Sequence, residues 1–396
     1  MFRWIQQTFA VTMLGIRTIP RRFGASLVAI VGIAGVVVVF VSVLSIGEGF
    51  KAAIVGAGSP SRAIVLRAGS DSEMTSGLVG TDTDVVKEAP GIAQQANRPV
   101  AASELYVVID LPKRSTGTPA NVPMRGIEPA SLEVRDDVKI VEGRMFRFGT
   151  DEAIVGRAAQ HQFNGVDLGS VYESKQLTLK IVGVFTEGGA VTESEIWCDA
   201  RTLQNAYRRG NSYQSVLVRL DSPASFPRFK DWLTSNSNLN VNARQENEYY
   251  AAQTTVMTGL IRGIGYIIAA LMGVGAVFGA VLTMYTAVAT RTREIATLRA
   301  LGFNTSAVLF SILGESLALG AIGGLIGGAL AYAAFNGYET ATMNFQTFSQ
   351  VAFAFRVTPS LLIQGLVYSL LMGLVGGLLP AVRAARLPIS SALREL

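Results

Sequence analysis

Four long runs almost free of charge constrain this chain more than any other feature. Between Arg22 and Glu48, Arg262 and Arg291, and Arg356 and Arg383, each uncharged run is about 25 residues, longer than the roughly 20 needed to cross a bilayer as a helix. A fourth extends from Ala307 to Ala333 and is interrupted only by Glu315. Four transmembrane helices follow, placed at 23–47, 263–290, 305–335 and 357–382. Basic residues precede the first run, as they do in a signal peptide. A cleaved h-region is only about 7 to 15 residues long, and this run is about 25, so it reads as an uncleaved anchor.

Orientation follows from Lys and Arg near the helix ends. Arg3, Arg17, Arg21 and Arg22 precede the first helix, Arg291, Arg293 and Arg299 join the second to the third, and Arg383, Arg386 and Arg394 follow the fourth. These clusters belong on the cytoplasmic side, with the tail 383–396. The sparsely charged loop 336–356 and the long segment 48–258 then lie outside. The formal net charge of +5 mostly reflects the cytoplasmic clusters, so it is poor support for nucleic-acid binding. Before the first crossing, Phe2, Ile5, Phe9, Met13 and Ile16 recur every three or four residues, the pattern of an amphipathic elbow helix in the membrane interface over 1–22.

The external segment reads as an α+β domain interrupted by a second one. Strands are expected at Ala63–Arg67, Val100–Leu111, Val122–Ile127 and Ser215–Leu220, and helices at Thr81–Ala89 and Phe226–Thr234. These make an α+β part at about 55–138 and 215–245. Between them, 139–214 is broken into short strands such as Leu177–Phe185 and reads as an inserted β-rich subdomain. Asp82 and Asp84 suit the first turn of their helix, a paired-aspartate metal site being the sharper alternative. The acidic loop Glu187–Glu195 reads as a solvated hairpin loop. Cys198, the only cysteine, excludes an intrachain disulfide and reads as a small buried hydrophobe beside Trp197. From Glu246 the pattern is helical straight into the second crossing, a stalk over about 246–262.

Within the membrane, small residues recur at four-residue spacing: Gly275 and Gly279, Gly320 with Gly324 and Gly328, and Gly373 with Gly377. Such spacing allows close helix approach, within one subunit or between two. Glu315, the charge inside a transmembrane run, is read as paired with a nearby arginine or backbone group. Between the second and third helices lies 291–304, RTREIATLRALGFN. Ile295, Leu298 and Leu301 share a helix face, free to press on a partner while Arg291, Arg293 and Arg299 stay solvated. An ordinary positive-inside loop would carry the same charges.

Catalytic patterns are missing. Glycine is nowhere followed by lysine, so there is no Walker A loop. GxSxG, HExxH and CxxC do not occur, and His161 is the only histidine. No enzyme activity, metal site or cofactor is expected on this chain.

The segment RTREIATLRALGFN, GESLALGAIGGLIGG from Gly314, and the closing LPAVRAARLPISSALREL resemble the FtsX-like permeases of the MacB type, membrane subunits of type VII ABC transporters. Externally, DVVKEAPGI from Asp84, PMRGIEPASLEV from Pro123, VEGRMF from Val141 and EAIVGRAAQHQF from Glu152 resemble the MacB-like periplasmic core. The resemblance implies an elbow helix, four transmembrane helices and an α+β periplasmic head with an inserted β-rich subdomain, in a bacterial inner membrane with both termini cytoplasmic. It implies ATP and Mg bound by a cytoplasmic ABC ATPase dimer. Because the chain begins at the elbow helix, that ATPase is expected on a separate chain. Arg291, Arg293, Glu294, Ile295, Leu298, Arg299 and Leu301 would form the docking segment. A second permease copy, identical or related, completes a dimer, and an adaptor with a TolC-like outer-membrane channel would accompany efflux. In relatives the substrates are antibiotics, peptides, haem or lipoproteins. The alternative is an FtsX-like signal transducer that activates periplasmic cell-wall hydrolases without transport.

Overall fold

The structure is a computed structural model that describes Thr12, Met13, residues 23–344, Thr347 and residues 349–386. The amphipathic segment expected at 1–22, those two residues apart, and the tail beyond Arg386 lie outside the described residues. The chain divides into two compact units: 1–48, 260–338 and 355–396 form one, and 49–259 with 339–354 the other.

The first unit is helical. Its elements are α1 (Phe23–Gly56), α2 (Glu246–Ala289), the short α3 (Thr292–Ala300), α4 (Thr305–Phe335) and α5 (Pro359–Ala385), of which α1 and α2 continue into the second unit. The helices α1, α2, α4 and α5 are long and apolar enough to cross a membrane. Lipid tails are as apolar as the side chains facing them, so helix association there depends on close packing and hydrogen bonds. Glycine supplies both between α4 and α5. A Cβ on Gly320 would lie 2.8 Å from the Ser369 carbonyl oxygen, and one on Gly373 would lie 2.8 Å from that of Ser316. Gly324 and Gly377 are equally closed, against Ser369 and Ser316, while Gly328 would meet Leu362 at 3.4 Å. Ser316 Oγ donates to the Gly373 carbonyl at 2.6 Å across this contact.

Gly275 and Gly279, expected to pack in the same way, have nothing within 4 Å where a Cβ would stand. They lie on a side of α2 that none of the described helices covers, which spacing alone does not reveal. The glycines that seat α1 are others. Gly323 lies against Ile33, Gly327 against Ala34 and Val37, and Gly365 against Val41.

The second unit, the head, is built on a ten-stranded sheet. Its strands are β1 (Arg62–Arg67), β2 (Ala101–Pro112), β3 (Pro119–Ile127), β4 (Lys139–Gly143), β5 (Glu152–Gly156), β6 (Val171–Glu173), β7 (Thr178–Thr186), β8 (Ile196–Asp199), β9 (Ser215–Arg219) and β10 (Val241–Gln245). The order is β10-β1-β9-β2-β3-β8-β5-β7-β4, with β6 on β7. The pairs β3–β8 and β5–β7 are parallel.

The inserted segment therefore has no sheet of its own, because β2 is long enough to serve both parts. Its first residues, Ala101–Glu104, pair with β9, and Leu105–Pro112 pair with β3. Two cores result. Ala63, Val65, Val216, Val218 and Phe229 fill one. Leu105, Val107 and Val122 join the second with Val155, Ile181 and Cys198 of the insert, so the second half of β2 packs with the insert and not with the α+β part assigned to it by sequence order. Asp82 lies in the first turn of the helix Gly80–Lys87, whose N-cap, Val79, offers no side-chain cap. Among the described residues no group of His, Cys, Asp and Glu could hold a metal ion.

The connection 336–356, read from sequence as a loop, contains a hairpin of β11 (Glu339–Asn344) and β12 (Ser349–Ala354) that belongs to the head. The Ala352 N–H donates to Ser194 Oγ at 2.9 Å, and Phe353 meets Phe50 edge-on with ring centroids 5.7 Å apart. Val351 and Phe353 alternate inward, a strand signal too short to stand out between two hydrophobic helices.

Candidate functional site

The segment 291–304 forms a compact corner. Its helix α3 ends with Leu301 at the C-cap, followed by Gly302 at φ +94°. The Gly302 N–H donates to Arg299 O, and the Phe303 N–H reaches back to Leu298 O at 3.2 Å. These are the two bonds of a Schellman motif, which favours glycine at its left-handed position. Asn304 then returns to extended backbone and starts α4. The LGFN sequence thus encodes a sharp helix-to-helix turn.

The corner is tied to the membrane helices at two points. Arg291, expected to be solvated, has a side chain only 13% exposed and places Nη1 3.1 Å from Glu315 Oε2 on α4. Its Nε also reaches Glu294 Oε2 at 3.1 Å. A carboxylate in an apolar helix is costly unless matched, so Arg291 is drawn inward to Glu315. Ile295 is 8% exposed and packs with Met284, Val288, Val308, Ile312 and Ala384. It is therefore an anchor and not part of the docking face assigned to it.

What remains outward differs from the sequence expectation. Leu301 is 73% exposed and the Glu294 side chain 64% exposed. Arg293 is exposed, while Leu298 and Arg299 are half-buried. Nearby, the Arg383 guanidinium lies over the Tyr285 ring at 5.5 Å, which joins the end of α5 to α2. Sequence reasoning named Arg383 only for its charge.

The head carries a second concentration of charge that the sequence reading missed. Arg125 on β3 is 1% exposed and makes close contacts with three carboxylates. Its Nη1 lies 2.7 Å from Glu73 and 2.9 Å from Glu104, while its Nε lies 2.7 Å from Glu195. Arg135 also holds Glu104, and the Trp197 indole donates to Glu195 at 2.7 Å. Complete burial works against the Glu104 charge, yet Arg135 and Arg125 hold its carboxyl down to about 2. The loop Glu187–Glu195, expected to be solvated, is largely inside: Glu187, Glu193 and Glu195 are all buried. Glu193 Oε1 accepts from Thr186 Oγ1 and from the Glu187 and Gly189 N–H groups. The carboxylates thus fold the loop back on itself and onto Arg125. An outward signal existed in Arg125, an arginine set between apolar neighbours in a strand, because a charged residue at a core position implies buried partners.

The profile of the MacB-like periplasmic core domain matches residues 26–236, and that of the FtsX-like permease C-terminal domain matches 266–389. This chain belongs to the MacB/FtsX-type family of ABC transporter permeases. The macrolide export ATP-binding/permease protein MacB 1/2 of Paracoccus denitrificans is 26% identical over 402 aligned residues, covering 95% of this chain and 56% of that protein. The MacB of Pasteurella multocida is 24% identical, over 92% of this chain and 56% of its own. The permease chain thus spans about half the length of these curated relatives. Among solved structures, the periplasmic region of MacB from Actinobacillus actinomycetemcomitans is 13% identical and covers 51% of this chain and 94% of its own, with a TM-score of 0.37, too low to carry an argument. Within the MacB/FtsX-type permease, both matched regions contain parts of the membrane helices. The first begins inside α1 and the second runs from α2 to beyond α5.

Proposed function

We propose that this permease is the mechanical subunit of an ABC transporter, in which ATP hydrolysis by a cytoplasmic ABC ATPase dimer is delivered to the segment 291–304 and changes the conformation of the head. A second permease copy, identical or related, completes the assembly. The work drives efflux or extraction of a substrate from the periplasm or the outer leaflet, with an adaptor and a TolC-like channel as further partners. ATP and Mg belong to the ATPase. Relatives named for macrolide export make a hydrophobic substrate the first to test.

The observation that carries this reading is the division of labour in α3. One side, through Arg291–Glu315 and Ile295, is locked to α2, α4 and α5. The other presents Glu294 and Leu301 to solvent. A push on the outward side would be passed to the membrane helices, because packed interiors deform little.

The test is reconstitution of the full chain with a MacB-type ABC ATPase. Leu301→Asp and Glu294→Arg should weaken co-purification and lower permease-stimulated ATPase activity about tenfold, about 1.4 kcal/mol each, while the fold stays intact. ATPase activity and association indifferent to both changes would overturn the docking assignment.

A further inference from the structure

Where α2 leaves the head sheet, Arg62, Glu187 and Glu246 meet with almost no access to water, and the half-exposed Asp137 joins them from the edge. The Arg62 side chain is 5% exposed, and those of Glu187 and Glu246 are each 1% exposed. Arg62 Nε lies 2.5 Å from Glu246 Oε2, its Nη1 lies 3.0 Å from Asp137 Oδ1, and its Nη2 donates to the Ala57 carbonyl at 2.8 Å. Every nitrogen of this guanidinium is thus already engaged, and its nearest approach to Glu187 Oε1 is 3.9 Å.

Glu187 is left in an unusual position. Its Oε2 accepts from Thr192 Oγ1, but no hydrogen-bond donor reaches the buried Oε1. A desolvated carboxylate oxygen with no donor is strongly disfavoured in its charged form. The same oxygen as a carboxylic O–H has an acceptor available in Asp137, which Arg62 keeps charged. Charge balance favours the same answer. Arg62, Arg125 and Arg135 are the buried cations of this region, and they face Glu73, Glu104, Glu195, Glu246, Glu187 and the half-buried Asp137. The carboxylates outnumber the guanidiniums, so one of them holding a proton relieves the excess.

We propose that Glu187 and Asp137 form a proton-binding site in the head, a carboxylic acid paired with a carboxylate, and that the proton holds the loop 187–195 closed against the start of α2. Burial pushes the Glu187 carboxyl up to about 7, with Asp137 raising it further while Arg135, Thr192 and Arg62 act in the opposite direction. Burial also disfavours the charge on Asp137, but Arg62 and a hydrogen bond shared with Glu187 bring it below its usual value. The groups facing Glu187 are Arg62 from β1, Arg135 and Asp137 from the connection between β3 and β4, Glu246 from α2, and Glu193 and Thr192 from its own loop.

The direction of the effect is fixed by linkage. A carboxyl whose folded value lies above its ordinary one stabilises the closed loop fully below about 4.5, and that contribution is lost as pH rises through about 7. Above that, ionised Glu187 repels Asp137, and the loop loosens. The head would therefore respond to the pH of the compartment it occupies. This inference does not rest on ATPase coupling, and its test reads the head alone.

The test is hydrogen exchange of the full chain in lipid nanodiscs, comparing peptides over 186–195 with peptides over β2 after correction for intrinsic rates. Between about pH 6 and about pH 8.5 the relative exchange of 186–195 should rise about tenfold in the wild type, as expected for a group ionising near the middle of that range. Glu187→Gln keeps the neutral, donating form and should hold exchange low at both pH values. Asp137→Asn keeps an accepting oxygen but removes the negative charge that disfavours ionised Glu187, so the rise should move to lower pH. A wild type with no rise would overturn the proposal, as would a Glu187→Gln variant that follows the wild-type curve. If Glu187→Gln exchanges fast throughout, the Asp137→Asn midpoint decides: a downward shift supports the site and an unmoved midpoint rejects it.

Discussion

Replacing Arg125 by Gln should be among the most damaging single changes to the head. The side chain is buried and contacts Glu73, Glu104 and Glu195 through Nε, Nη1 and Nη2 at 2.7 to 3.1 Å. Not all three carboxylates are stranded when it is lost. Glu104 keeps Arg135, and Glu195 keeps the Trp197 indole. Among the described residues, Glu73 keeps the Ser215 hydroxyl as its one remaining side-chain donor. Removing one member of a buried ion pair costs about 3 to 5 kcal/mol. Stranded carboxylates limit the loss by taking up protons, so the total should stay near that range and not multiply by three. Native domains are stable by only about 5 to 15 kcal/mol, and a unit of about 200 residues loses roughly 2 to 4 °C per kcal/mol. A fall in Tm on the order of 10 °C follows. Trp197 is buried within the network, so tryptophan fluorescence of the full chain in detergent reports the transition. The penalty should shrink in acid, because a stranded carboxyl that takes up a proton is no longer a buried unpaired charge. A variant that also carries Glu73→Gln and Glu195→Gln should regain part of the loss. An Arg125→Gln chain with Tm unchanged, or with the same deficit at acidic and alkaline pH, would refute this account of the network.

Two further outcomes concern the helices. Gly373→Leu drives a side chain into the Ser316 carbonyl and should abolish stable α4–α5 packing, seen as loss of monodisperse protein. Gly275→Leu has open space before it and should leave the purified monomer intact, so equal damage from both would contradict the assignment of the closed face. At the corner, Arg291→Gln removes the ion pair to Glu315 and should cost about 2 to 3 kcal/mol in thermal stability. Adding Glu315→Gln should restore most of it, and a double variant no better than the single would show that the pair does not matter.

The sequence by itself determined the membrane elements, because length and lack of charge leave a 25-residue run few alternatives to a bilayer-spanning helix. It also determined the strands of the head, short Val- and Ile-rich runs that are largely buried, and the motifs that pointed to the family. Several decisions belonged only to the tertiary structure. Whether Glu187 faces water or Arg62 depends on elements far apart in the chain, since Arg62, Asp137 and Glu246 meet only after the sheet forms. Spacing marked Gly275 and Gly320 alike, yet only Gly320 faces another backbone. The even spacing of Ile295, Leu298 and Leu301 described one helix face, but α3 lies so that Ile295 is covered and Leu301 is bare. Periodicity specifies which residues share a side of an element, and only packing specifies what that side meets.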